Sequence, residues 1–264
     1  MAAPAIIGTE LVAVLAPACE ARPEKREDGL MDAVDSQLTE SYRLFGRLSE
    51  IVLEPRRTAL LMIDMQYLDA HRDGEYGRRA RERGIAHQME YFFQRLEGLA
   101  VPNAARLLEV CRRAGVDVVF TRIASLADDG RDLGWRFKEW NLVCGVDSPD
   151  ARFLPELVPQ PNEIVINKTG TSAFLSSQID TLLRNMGIRY IIVCGVVTHA
   201  CVETSVRDAA DLGYRVLLAE DACAAMSQQA HDNAIRAMGS SYATVMSTDE
   251  ILAKVEREIA GKGA

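Results

Sequence analysis

Three side chains of this chain have the chemistry to act together on a carbonyl carbon: the carboxylate of Asp64, the ammonium of Lys168 and the thiol of Cys201. Each follows an apolar run rich in β-branched residues. Asp64 closes Ala59-Leu60-Leu61-Met62-Ile63, and Lys168 follows Ile164-Val165-Ile166 and Asn167. Cys201 stands a short turn beyond Ile191-Ile192-Val193 and Gly195. A carboxylate moves protons, a thiolate attacks electrophilic carbon, and a neighbouring lysine stabilises the thiolate. Cys201 also opens a helical pattern, with Cys201, Ser205 and Asp208 on one face and Val202, Val206 and Ala209 on another. A helix start favours an anion, so the spacing predicts a thiol inclined toward thiolate. Plainer readings exist for each residue. Asp64 could cap a helix, Lys168 could sit on the surface, and Cys201 could fill core space as free cysteines often do.

The elements that must position these residues alternate. Strands are expected at 59–63, 116–121, 164–166, 191–193, 216–219 and 242–246. Helices are expected at 101–114, 179–185, from Cys201 onward, at 228–238 and at 249–259, the last capped by Thr248. Strands alternating with helices imply right-handed crossovers and a parallel, doubly wound α/β sheet with helices on both faces. The carboxyl edge of such a sheet is where ligands bind, and all three reactive residues fall there. Residues 66–88 read as loop and short helix, and 122–160 as a long irregular loop holding Trp135 and Trp140. Residues 1–55 read as an extension packing on the main domain or on a neighbouring subunit, with a helix over 30–51. Residues 56–264 form the main domain.

Bulk properties remove several function classes. A net charge of −8 and no basic run argue against nucleic acid or anionic membrane as partner. Arg78, Arg79, Arg81 and Arg83, interleaved with Glu82, read as a solvated helix face. Cysteines at 19, 111, 144, 194, 201 and 223 form no C-x-x-C pair and no Cys/His cluster, which speaks against a zinc site and a disulfide scaffold and fits a reducing, cytoplasmic setting. The apolar opening has no Lys or Arg before Arg22, and Glu10 interrupts it, so export is not expected. No cofactor is expected.

The segments LLMIDMQ (60–66), NKTGTSAF (167–174) and CGVVTHACVETSVRDAADLGYRVLLAEDAC (194–223) resemble the isochorismatase-like cysteine hydrolases over about residues 56–255. The resemblance implies a six-stranded parallel sheet, a catalytic triad on Asp64, Lys168 and Cys201, and a cis peptide at Val196–Val197. It also implies an oxyanion hole from the amides of Val197 and Cys201, and a homo-oligomer, most simply a tetramer. It implies an amidohydrolase that releases ammonia from a small ureido, carbamoyl or primary amide compound through a thioester. Two other readings stand beside it: an idle family member kept as a binding or scaffold subunit, and an ester or ring-opening hydrolase using the same thiol.

Departures from the family pattern narrow this expectation. Where the nicotinamidase-like members carry an Asp-x-His metal cluster, this chain reads Thr121-Arg122-Ile123-Ala124-Ser125, with no histidine before Ala151. No metal is therefore expected, and ureido or carbamoyl substrates rank ahead of aromatic carboxamides. Candidate substrate contacts are Gln66, Arg122, Trp135, Trp140, Phe174 and Thr198, with further donors from the Thr169–Ser172 loop. Arg122 could pair with a substrate carboxylate or a nearby acid. The tryptophans could form a lid or anchor the loop, and Phe174 could line the pocket or pack in the core. His199 reads as a residue supporting the site, and His71, His87 and His231 as surface residues.

Overall fold

The structure, a computed structural model, describes residues 48–259. In chain order it contains β1 (Thr58–Ile63), α1 (Tyr67–Ala70), α2 (Glu75–Glu82), α3 (Glu90–Arg95), α4 (Val101–Arg113), β2 (Asp117–Ile123), α5 (Trp135–Glu139) and β3 (Ile164–Lys168). There follow α6 (Ile179–Asn185), β4 (Tyr190–Val196), α7 (Glu203–Asp211), β5 (Arg215–Ala224), α8 (Gln228–Gly239), β6 (Ala243–Met246) and α9 (Thr248–Glu258). The six strands form one sheet in the order β3-β2-β1-β4-β5-β6, every pair parallel. This is the doubly wound order, in which the chain turns from adding strands on one side of β1 to adding them on the other, so the switch point lies between β1 and β4.

Burial on both faces explains why the strands read as unbroken apolar runs. In β1, Leu60 and Met62 pack into one core with Leu107 and Val255, whereas Ala59, Leu61 and Ile63 pack into the other with Val206 and Leu183. The period of two thus assigns alternate residues to two layers of helices. No helix among the described residues is long and apolar enough to cross a membrane.

Several expected boundaries shift. Strands β3, β4 and β5 run on to Lys168, Val196 and Ala224, so Lys168 ends its strand rather than following it. Chain 90–100, unassigned in the sequence, is helical and leads directly into α4. Pro102, an ordinary helix-start signal, sits within the first turn of α4 and hid the continuity. The last helix is capped by Ser247, not Thr248: Ser247 Oγ accepts from the Glu250 amide and Glu250 reaches back to the Ser247 amide, a reciprocal capping box. Residues 48–51 are not helical. The rest of the expected 30–51 helix, the apolar opening and Cys19 lie outside the described residues. From 49 to 54 the chain is fastened to the domain, with Ile51 and Leu53 buried, the Leu53 amide donating to Glu258 Oε2 at 2.8 Å, and Arg215 donating to the Ser49 carbonyl.

Candidate active site

The ends of β1 and β4, which are neighbours, and of β3, which lies beyond β2 at the sheet edge, bring Asp64, Cys201 and Lys168 into contact. Asp64 stands one residue past β1 with φ of 53°, a left-handed conformation that Asp tolerates better than most residues. Its amide donates to the Thr121 carbonyl at 3.0 Å, and Thr121 Oγ1 donates to Asp64 Oδ1 at 2.9 Å, so β2 fixes the carboxylate. Asp64 Oδ2 forms an ion pair with Lys168 Nζ at 2.8 Å, both side chains fully buried. The same ammonium donates to Cys201 Sγ at 3.4 Å and to the carbonyls of Gly170 at 2.8 Å and Thr171 at 3.0 Å. Lys168 thus has no remaining donor for substrate. Desolvation works against its charge, yet Asp64 and Cys201 outweigh it and hold the ammonium above its ordinary pKa.

Cys201 lies in a single π-helical turn, Thr198–Val202, that precedes α7. Such turns are rare and gather at functional sites. The peptide Val196–Val197 leading into it is cis. Gly195 is required here: its φ is 132°, and a Cβ would meet the Ile63 carbonyl oxygen at 2.1 Å, so β1 and β4 approach as closely as the backbones allow. The face of α7 below Cys201 holds the lysine loop. Ser205 Oγ accepts from the Ala173 amide at 2.9 Å, and Asp208 accepts from Ser172 Oγ.

Burial pushes the Cys201 thiol up to about 12, Lys168 opposes this, and the Asp64 carboxylate adds to it. Burial thus works against the thiolate that a helix start favours, and Asp64 stands within reach of the thiol.

The cysteine lies at the bottom of a cavity of about 580 Å³. Val197, His199, Ala200, Ile123 and Leu142 form the wall near Cys201, and Asp69 and Tyr76 approach from the segment after β1. The outer wall carries Arg79, Arg83, Arg136, Glu139, Trp140 and Met226. Val197 and Cys201, the two residues that the resemblance assigns to the oxyanion hole, both border the space. Among the described residues no group of three or more His, Cys, Asp or Glu side chains is placed to hold a metal ion.

Of the substrate contacts expected from sequence, Trp140 lines the cavity and the others do not. Gln66 is fully buried and splints strand ends. Its Oε1 accepts from the Ile123 amide at 2.6 Å, and its Nε2 donates to the Ile123 and Asp150 carbonyls. Arg122 donates to Asn167 Oδ1 and the Ala151 carbonyl and stacks on Phe153, so its guanidinium serves the sheet edge. Phe174 packs in the core against Tyr214, with ring centroids 5.6 Å apart. Trp135 is 75% exposed. Thr198 is buried and its Oγ1 lies 3.1 Å from His231 Nδ1. The Thr169–Ser172 loop spends its groups on Lys168, Asp208 and Arg136.

Sequence reasoning missed the residues that come from helices. Arg79 and Arg83, read as a solvated face, border the cavity instead. Arg79 donates to Glu75 Oε1 and to the carbonyls of Trp140 and Asn141, tying α2 to the loop after α5. Arg136 stacks over Trp140 at 5.0 Å and donates to Thr171 Oγ1. His231, expected at the surface, is buried. Its Nε2 lies 3.2 Å from Glu220 Oε2 and 2.9 Å from Arg95 Nη2, so it braces Thr198 in the π-helical turn of Cys201 from behind. His199 borders the cavity, and desolvation lowers its pKa.

An isochorismatase domain matches residues 58–250, which span all six strands and the three reactive residues. The chain belongs to the isochorismatase family. It is 30% identical over 229 residues to the phenazine biosynthesis protein PhzD1 of Pseudomonas aeruginosa, covering 85% of this chain and 99% of that one. It is 28% identical to the ureidoacrylate amidohydrolase RutB of Rhizobium rhizogenes, over 70% of this chain and 77% of the relative. Among solved structures, the N-carbamoylsarcosine amidase of Thermoplasma acidophilum superposes with a TM-score of 0.55 at 25% identity, over 73% of this chain and 97% of that one. This isochorismatase-family chain is an enzyme of the hydrolase class.

Proposed function

We propose that this hydrolase cleaves a C–N bond of a small ureido or carbamoyl compound and releases ammonia or an amine. The carrying observation is the contact chain Asp64–Lys168–Cys201, whose cysteine borders a substrate-sized cavity. Asp64 accepts the thiol proton as Sγ bonds to the carbonyl carbon. The developing oxyanion is held by the Val197 and Cys201 amides, each such donor being worth about 3 kcal/mol. Asp64 then returns the proton to the nitrogen as the C–N bond breaks, leaving a thioester. Water, deprotonated by the same carboxylate, adds to the thioester, and the thiol leaves with its proton restored. Lys168 stays charged throughout and offsets the negative charge on sulfur.

The relatives' names support the substrate class, and so does the outer wall. Arg83 and Arg136 have no carboxylate partner among the described residues and face the cavity mouth beside Trp140 and Met226. They replace Arg122 as the groups to receive a substrate carboxylate. An ammonia-release screen over N-carbamoyl amino acids, biuret, ureidoacrylate-like compounds and aryl carboxamides tests the reading. N-carbamoyl acids are expected to show the highest kcat/KM. Higher values for nicotinamide would overturn the substrate class. No ammonia from any compound, with no acyl adduct on Cys201 by intact mass, would overturn amide hydrolysis itself.

A further inference from the structure

Asp69 is a second carboxyl group in the cavity, and the chemistry of the triad does not use it. It lies on α1, is 1% exposed, and lines the cavity together with Cys201 and Tyr76. Its Oδ1 is buried and has no hydrogen-bond partner among the described residues. A buried carboxyl oxygen left unpaired in the free protein is costly unless a ligand completes it. Other polar groups deep in the site are already committed: Lys168 to four partners, Thr121 to Asp64 and Thr198 to His231.

We propose that Asp69 is a specificity-determining residue that donates a hydrogen bond from its Oδ1 to a carbonyl oxygen of the bound amide. This deepens the amidohydrolase reading and rests on it for the identity of the ligand. The donor role requires a neutral acid, and the surroundings favour one. Burial raises the pKa of Asp69 well above the carboxylate range and the Asp64 carboxylate adds to it, while Lys168 and the amides of Asp69 and Ala70 oppose more weakly. Two carboxylates at one site resist joint ionisation, and the ion pair with Lys168 is made by Asp64 rather than Asp69. A neutral carboxyl beside the nucleophile selects substrates with a second carbonyl oxygen next to the scissile group. A charged carboxylate there would select a substrate ammonium instead.

Asparagine separates these roles, because its amide donates a hydrogen bond yet cannot carry charge. Alkylation of Cys201 is measured by peptide mass with iodoacetamide, which carries a carbonyl, and with methyl methanethiosulfonate, which carries none. Both reagents need the same thiolate, so the ratio of their rates reads carbonyl recognition without turnover. Asp69→Leu is expected to lower that ratio about tenfold, the loss of one hydrogen bond, and Asp69→Asn to keep it within about threefold of wild type. For any amide the wild type hydrolyses, Asp69→Leu raises KM with a smaller change in kcat, and Asp69→Asn restores it. An unchanged ratio in Asp69→Leu, or an Asp69→Asn variant as impaired as Asp69→Leu, overturns the proposal. A failed hydrolysis screen alongside an Asp69-dependent alkylation ratio would remove the amidohydrolase reading and leave Asp69 in its role.

Discussion

The inner and outer walls of the cavity are built on different principles. Backing the inner wall at Cys201, Asp64 and Lys168 are fully buried and held by strand ends, by Thr121 and by the Gly170 and Thr171 carbonyls. At the outer wall, Arg83, Glu139 and Trp140 are exposed and come from helix ends and loops that one arginine, Arg79, ties together. Rigid groups on the sheet edge suit a reaction whose geometry must not vary. Looser groups on short helices suit a surface that sets which molecule enters. On the proposed reading, chemistry rests on the buried groups, and selection is shared between Asp69 beside them and the exposed outer wall.

Substitutions at the inner wall test that separation most severely. Cys201→Ala should remove turnover, with residual rates below about a thousandth of wild type, while thermal melting stays close to wild type. Lys168→Ala should lose activity comparably and also cost about 3–5 kcal/mol in denaturant unfolding, because Asp64 is left buried and uncompensated. If Lys168→Ala kept its stability, the buried ion pair would not be what holds this wall.

A smaller effect distinguishes a splint from a substrate contact. Gln66→Ala strands the buried Ile123 amide and should lower unfolding free energy by about 1–3 kcal/mol. For the fraction that stays folded, KM should be unchanged. A KM effect larger than the stability loss would return Gln66 to the substrate. The smallest effects belong to the outer wall. Trp140→Ala should raise KM a fewfold with kcat preserved, while Trp135→Ala, which alters an exposed ring outside the cavity, should change neither. Equal effects from the two tryptophans would make the loop one lid and erase the distinction between walls.

The same division decided how much could be read from the sequence. Asp64 and Cys201 follow β1 and β4, the neighbours at the switch point of a parallel sheet, so topology alone brings them together, and Lys168 reaches them across β2 from the end of the edge strand β3. Arg122 and Gln66 are also polar residues at strand ends, yet neither enters the cavity. In β2 the side chains alternate, so Ile123 faces the cavity and Arg122 meets Asn167 on β3 instead. Polarity near a strand end carries no such parity unless the register is known. Asp69, Tyr76, Arg79, Arg83 and Arg136 arise from short helices whose placement depends on contacts about sixty residues away, such as Arg79 with Trp140. His231 was illegible for a related reason: Arg95, Thr198 and Glu220 are brought to it by the packing of α8 and share no local pattern with it.

One arrangement has a mechanical meaning. The helix that follows Cys201, α7, also fastens the loop whose carbonyls hold the Lys168 ammonium, through Ser205 and Asp208. A shift of that helix therefore pulls sulfur and the lysine loop in the same direction, as a common-mode displacement. Lys168 is also tethered to the sheet through its own strand and Asp64, so the shared mount sets the direction of such a shift and the ion pair limits its reach.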